Sequence, residues 1–159
     1  MKKSLTELLP FLRANEQSMV AQLHQFCDIN SGSYHSAGLE TMLNALRAAF
    51  TPIADDIESR KLAPVQTINM TGSATTHQCG DILLIRKRPH LNNRVLLSGH
   101  MDTVYGPDHS FQKLVYINDN HVNGPGVADM KGGLIVMLHA LAAFETTPYA
   151  AKLGWDVLI

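Results

Sequence analysis

The chain has 159 residues, 45% hydrophobic and 17% charged, with a formal net charge of −1. That length suits one domain with a buried core, and the composition excludes a disordered chain. Charge of neither sign forms a long run, so nothing in the sequence attracts nucleic acid or an anionic membrane.

Lys2 and Lys3 imitate the start of a secretion signal, but Glu7, Pro10 and Arg13 interrupt the apolar stretch that should follow. Ser4 and Glu7 have capping-box spacing, so a short helix is expected to start there. Met19, Val20, Leu23, Phe26 and Cys27 follow helical spacing and predict a helix over 15–27. The Asn30-Ser31-Gly32-Ser33 segment breaks it. A third helix is expected from Ser36, burying Leu39, Met42, Leu43, Leu46 and Phe50.

Residues 53–60, 65–70 and 81–88 then read as strands separated by polar turns. Val95, Leu96 and Leu97 form a continuous apolar run over 94–98, expected as a strand buried on both faces. Residues 115–117 and 121–122 flank Asn118-Asp119-Asn120 as a hairpin. A helix over 129–144 is apolar nearly all round and is expected to be buried. The longest apolar stretch, Leu134 to Phe144, contains His139 and is too short to span a bilayer. Residues 155–159 read as a last buried strand. This order predicts an α/β sandwich. Ending on a buried strand reads as truncation, so residues 1–159 are expected to be part of a larger catalytic domain. Cys27 and Cys79 form no paired motif, so no disulfide framework is implied. The cytoplasm is the default location.

Two constellations carry chemistry. The first is Ser98-Gly99-His100-Met101-Asp102-Thr103-Val104. His100 follows an apolar strand, where open α/β sheets place ligands. Asp102, two residues on, can accept a hydrogen bond from one imidazole nitrogen and leave the other facing a metal. Taken by itself, this spacing better describes a loop histidine satisfied by its neighbour, and it needs the second motif as context. The second is Gly124-Pro125-Gly126-Val127-Ala128-Asp129-Met130-Lys131-Gly132-Gly133. Its glycine-rich loop delivers Asp129 to a helix start, and a carboxylate there can bridge two metals. Gly132 and Gly133 in the first turns point to close backbone approach. The phosphate-loop order Gly-Lys-Ser/Thr is not met, because Lys131 precedes two glycines.

Together these stretches resemble the zinc-dependent peptidase family of glutamate carboxypeptidase, succinyl-diaminopimelate desuccinylase and aminoacylase. Asn30-Ser31-Gly32-Ser33 is similar to the N-terminal region of its glutamate carboxypeptidase branch. The resemblance implies a three-layer α/β catalytic domain with a mixed sheet between helices, of which this would be the N-terminal half, without the lid and dimerisation domain. It implies His100 as ligand of one zinc, Asp129 as bridge between two, and Asp102 as the catalytic carboxylate that orients His100. Met130 would begin an unusual peptide geometry. Cobalt or manganese would be possible substitutes for zinc. The substrate would be a small peptide or an N-acyl amino acid, and the complete family member is often a homodimer. The family's Glu-Glu pair, one general base and one ligand, follows the next strand and has no counterpart in this sequence.

Two other readings stand beside this one: a non-catalytic remnant, and a small α/β binding module in which both motifs are structural. Among the remaining residues, His77 and Cys79 read as a polar turn, and His35 and His109 as solvated loop residues. His139 reads as a satisfied boundary histidine, and Tyr105 and Trp155 as packing residues. Lys131 is either a charge near the metals or a surface lysine.

Overall fold

The structure is a computed structural model that describes residues 8–159. The helix start expected at Ser4 lies outside them. Helices α1 (Leu9–Ala14), α2 (Glu16–Asp28) and α3 (Ser36–Phe50) come first, then strands β1 (Asp56–Arg60), β2 (Val65–Ile68), β3 (Ala74–His77), β4 (Ile82–Lys87) and β5 (Arg94–Ser98). The small hairpin β6 (Val115–Asn118) and β7 (His121–Asn123), helix α4 (Lys131–Glu145), a 3₁₀ turn (Ala150–Lys152) and β8 (Gly154–Leu158) complete the chain. No described helix is long and apolar enough to cross a membrane.

Four strands form a mixed sheet in the order β1-β4-β8-β5; β8 runs antiparallel to β4 and parallel to β5. The period-2 alternation of strands sorts its residues. Leu83 and Ile85 of β4 and Trp155 and Val157 of β8 are completely buried, and they join α3 and α4 in one core. In α3, Leu39, Met42, Leu43, Leu46 and Phe50 are buried as their spacing predicts. Leu134, Ile135, Leu138 and Leu141 of α4 close the core from their own helix face. The "apolar all round" reading of α4 holds only in part, because Val136 is exposed. In α2, Phe26 and Cys27 are buried, while Val20 points outward. His139 faces Gln22 Oε1 at 3.1 Å across the α2–α4 contact, satisfied as expected.

The opposite face of the sheet carries charged pairs beside Leu84, Leu96 and Leu158. Arg94 of β5 forms a forked pair with Asp156 of β8, and Arg86 of β4 reaches Asp56 and Glu58 of β1.

Two strand expectations change. Strand β5 is not buried on both faces: it is a sheet edge bonded to β8, and Leu96 is 64% exposed. Leu96 shares the open face with Asp156, its Cα partner, so a continuous apolar run here did not mean double burial. Strand β3 lies in what reads as a polar turn. Ala74-Thr75-Thr76-His77 has no apolar alternation; it pairs with β2 across a turn in which the Asn69 side chain accepts the amides of Thr71 and Ser73.

The end of α4 is tied to the sheet by one carboxylate. Glu145 accepts two bonds from the Arg88 guanidinium, at 2.8 and 2.5 Å, and one from Trp155 Nε1 at 2.8 Å. Burial pushes its pKa up, but the bonds from Arg88 and Trp155 outweigh this and hold it below the usual glutamate value. A carboxyl whose folded pKa is depressed contributes stability above its unfolded pKa and loses it as pH falls through the folded value. Glu145→Gln is therefore expected to cost about 2 kcal/mol in urea unfolding at neutral pH, with the gap to wild type closing in acid. A gap independent of pH would show that the carboxylate charge contributes nothing.

The exposed apolar edge at β5 carries a second expectation. An unpaired edge with Val95 and Leu96 in the open is a template for association. Leu96→Lys should raise the soluble, monomeric fraction in light scattering while leaving the unfolding midpoint nearly unchanged. Equal aggregation in both proteins would place the association surface elsewhere.

Candidate metal centre

Two neighbouring loops build the site. The first leaves the end of β5 and carries His100 and Asp102; the second leads into α4 and carries Asp129. The His100 ring lies between the two carboxylates. Its Nδ1 is 3.0 Å from Asp102 Oδ1, and its Nε2 is 2.9 Å from Asp129 Oδ1. Partial burial pulls the imidazole pKa down, but the bonds with Asp129 and Asp102 outweigh it and leave it above the ordinary histidine value. All three side chains are open to solvent, Asp129 most of all at 86%.

Local structure explains how the residues arrive there. The amide of Gly99 donates to Leu158 O at 3.0 Å, so the sheet ladder holds the chain up to the residue before His100. The His100 amide then donates to Met130 Sδ at 3.3 Å, which ties the two loops together beside His100 and Asp129. The Asp129–Met130 peptide is cis.

The Asn30–Ser33 segment, read in the sequence as a helix breaker, is a third part of the site. Gly32 and Thr103 form a parallel bridge, Thr103 N donates to Ser31 O, and Ser33 N donates to Thr103 O. The buried Ser31 hydroxyl donates to Met101 O at 2.7 Å. Asn30 Nδ2 donates to Gln112 Oε1 at 2.7 Å and reaches the carbonyls of Tyr105 and Gly106. His35 is not a free loop residue, since its Nδ1 lies 3.1 Å from Asn30 O. No short motif marks these partners, because they lie about seventy residues apart in the chain.

Lys131 settles differently from either reading of it. It is completely buried, and its ammonium donates to Phe26 O at 2.9 Å and Ile29 O at 2.7 Å, at the end of α2. Burial holds its pKa below the ordinary lysine value. The same environment pushes the neighbouring Cys27 thiol up to about 11. Lys131 thus neither faces His100 and Asp129 nor lies on the surface. It locks the first turn of α4, and with it the loop of Asp129, to the end of α2.

The residues present fit a metal. An imidazole nitrogen and a carboxylate oxygen are ordinary zinc donors, and on a shared zinc at bond lengths of about 2.0–2.2 Å they would stand roughly 3–3.5 Å apart. The observed 2.9 Å is close to that span. Among the described residues, no three His, Cys, Asp or Glu side chains cluster as a larger ligand set. His77 and Cys79 gain no third donor; the His77 ring packs on Tyr34 instead. A cleft of about 310 Å³ opens on His100 and Asp129, with Tyr105, Phe111, Val122 and Val127 on its walls.

Residues 96–154, which contain both motif loops, match the sequence profile of peptidase family M20/M25/M40. Over 95 residues the chain is 34% identical to succinyl-diaminopimelate desuccinylase of Corynebacterium glutamicum, covering 60% of this chain and 24% of that protein. Human carnosine dipeptidase 1 superposes on the whole chain with a TM-score of 0.74 at 16% identity. The chain carries an M20-type peptidase fold. The dipeptidase Dug1p of Saccharomyces cerevisiae shares it over 99% of the chain, with a TM-score of 0.72 at 18% identity. The chain spans about a third of the length of these two solved structures, 35% and 34% respectively. The M20-type resemblance read from the motifs therefore holds, as does the mixed α/β fold.

The two glycines that open α4 in this M20-type loop are not equivalent. A methyl group at Gly132 would collide with the backbone carbonyl of Val127, whereas one at Gly133 would meet the flexible Met130 side chain at 3.2 Å. Glycine to alanine within a helix ordinarily stabilises by roughly 1 kcal/mol. Gly133→Ala should follow that rule, and Gly132→Ala should reverse it. Thermal unfolding of the two variants gives the comparison; stabilisation by both would refute the close approach at Gly132.

Proposed function

We propose that the chain forms part of the active site of a zinc-dependent hydrolase of amide bonds, acting on small peptides or N-acyl amino acids. The line Asp102–His100–Asp129, at 3.0 and 2.9 Å, carries this reading. His100 would offer Nε2 to one zinc, and Asp129, with two oxygens on an exposed carboxylate, would bridge to a second. Asp102 holds Nδ1 and so fixes which nitrogen faces the metal. A bound zinc pair supplies Lewis acidity towards the amide carbonyl and lowers the pKa of a water.

The division of labour among the remaining acids supports the same reading. A general base must stand within hydrogen-bond reach of the proton it takes. Glu145 is tied to Arg88 and Trp155, and Glu58 to Arg60 and Arg86, so neither faces the cleft. Two donors are also fewer than the three protein ligands typical of a catalytic zinc. His100 and Asp129 are thus a partial ligand set in a chain that spans about a third of the solved dipeptidases it matches. The cleft walls of Tyr105, Phe111, Val122 and Val127 suit the apolar part of a small acyl or peptidyl group. The desuccinylase and the dipeptidases named above are amide hydrolases, which supports that substrate class.

The 159-residue chain is expected to bind zinc weakly and to hydrolyse neither dipeptides nor N-acyl amino acids. Calorimetric titration with zinc should show binding that His100→Ala and Asp129→Ala each abolish. Asp102→Asn should weaken it by about 10–100-fold without abolishing it. Zinc retained after either ligand substitution would overturn the assignment. Two tightly held zincs with turnover would overturn the partial-set reading.

A further inference from the structure

We propose that Ser33 is a positioning residue that sets the orientation of His100 by holding Asp102. The inference rests on the reading of His100 as a ligand. The Ser33 hydroxyl lies 2.5 Å from Asp102 Oδ2 and 3.2 Å from Thr103 O. It has one proton to donate, and the carboxylate is the nearer and the charged acceptor, so the proton goes there. The other oxygen, Oδ1, is then left to face His100 Nδ1 at 3.0 Å.

The carboxylate needs this second anchor. The terminal torsion of an aspartate is broad and roughly two-fold, so one bond to a histidine does not fix its plane. Asp102 is also 39% exposed, and water competes for both of its oxygens. Ser33 can serve as an anchor because its own position is set by main-chain bonds. Its amide donates to Thr103 O at 3.0 Å, and the Gly32–Thr103 bridge pins the loop beside it. From behind, Lys131 holds the Ile29 carbonyl at the entrance of the same loop. The serine hydroxyl thus transfers the rigidity of the α2–α3 connection to a histidine sixty-seven positions further along the chain, through one carboxylate.

The test uses the 159-residue chain without metal, in an Asp129→Ala background that removes the carboxylate facing Nε2, and reads the ring nitrogens of His100 by NMR at a pH above the imidazole's titration range. With Ser33 and Asp102 intact, that background should show the tautomer protonated at Nδ1. Ser33→Ala should move both ring nitrogens towards the pattern of Asp102→Asn, and Ser33→Thr, which keeps the hydroxyl, should retain the parent pattern. With Asp129 in place, zinc half-saturation should rise about tenfold in Ser33→Ala. In the Asp102→Asn background the same substitution should add less than about twofold, because partners in one network are non-additive. Unchanged ring nitrogens in Ser33→Ala would overturn the proposal, and so would their loss in Ser33→Thr. So would an equal loss of zinc affinity in both backgrounds, which would mean that Ser33 acts through the fold and not through Asp102. The ring nitrogens are read without zinc, so a failure to bind zinc counts against the proposed function and not against the Ser33–Asp102 link.

Discussion

A buried ammonium with two carbonyl partners organises this chain. Removing a lysine charge from water is costly unless its protons are satisfied. Lys131 meets that condition with Phe26 O, which also accepts the Ile29 amide, and with Ile29 O, where α2 ends. The negative end of the α2 dipole adds to the attraction. One side chain therefore fixes the start of α4 against the end of α2. Asp129 lies two residues before it on one strand of chain, and Asn30–Ser33 lies just beyond Ile29 on the other. Both halves of the candidate site hang from that contact.

The sheet supplies the second constraint. Strand β8 lies between β4 and β5, and it brings Trp155 and Val157 under the helices. Its parallel pairing with β5 aligns the ends of both strands, and Gly99 N continues the ladder to Leu158 O. His100 therefore leaves a fixed rim. Asp156 on the other face of β8 pairs with Arg94, which keeps the strand in register without demanding burial of a free charge.

Much of this was legible in the sequence because it is local. The helical spacing of Leu39, Met42, Leu43, Leu46 and Phe50 marked α3 and its buried face, and the turn at Asn118–Asn120 marked the hairpin. The His-x-Asp spacing foretold the His100–Asp102 contact, since two residues in extended backbone share a side. The errors came from properties that periodicity does not carry. Val95-Leu96-Leu97 is as apolar as a central strand, yet whether a strand lies at an edge depends on its neighbours. The Thr-rich segment of β3 has no apolar alternation and is a strand through pairing with β2. Lys131 looks like any lysine until α2 packs behind it. Ser33 looked like punctuation because its partner is sixty-nine residues away.

These distances along the chain also order its assembly. The contacts that hold the site span 29 residues for His100 and Asp129, 69 for Ser33 and Asp102, and 105 for Lys131 and Phe26. Loop-closure entropy must be met before such contacts form, so long-range contacts slow folding in proportion to their share. The helices and hairpins of this chain can form from neighbours alone, but the histidine meets Asp129, and Ser33 meets Asp102, only when α2, β5 and α4 have docked. The candidate site is in that sense a late product of folding, and its geometry reports on completed tertiary structure more strictly than helix content does.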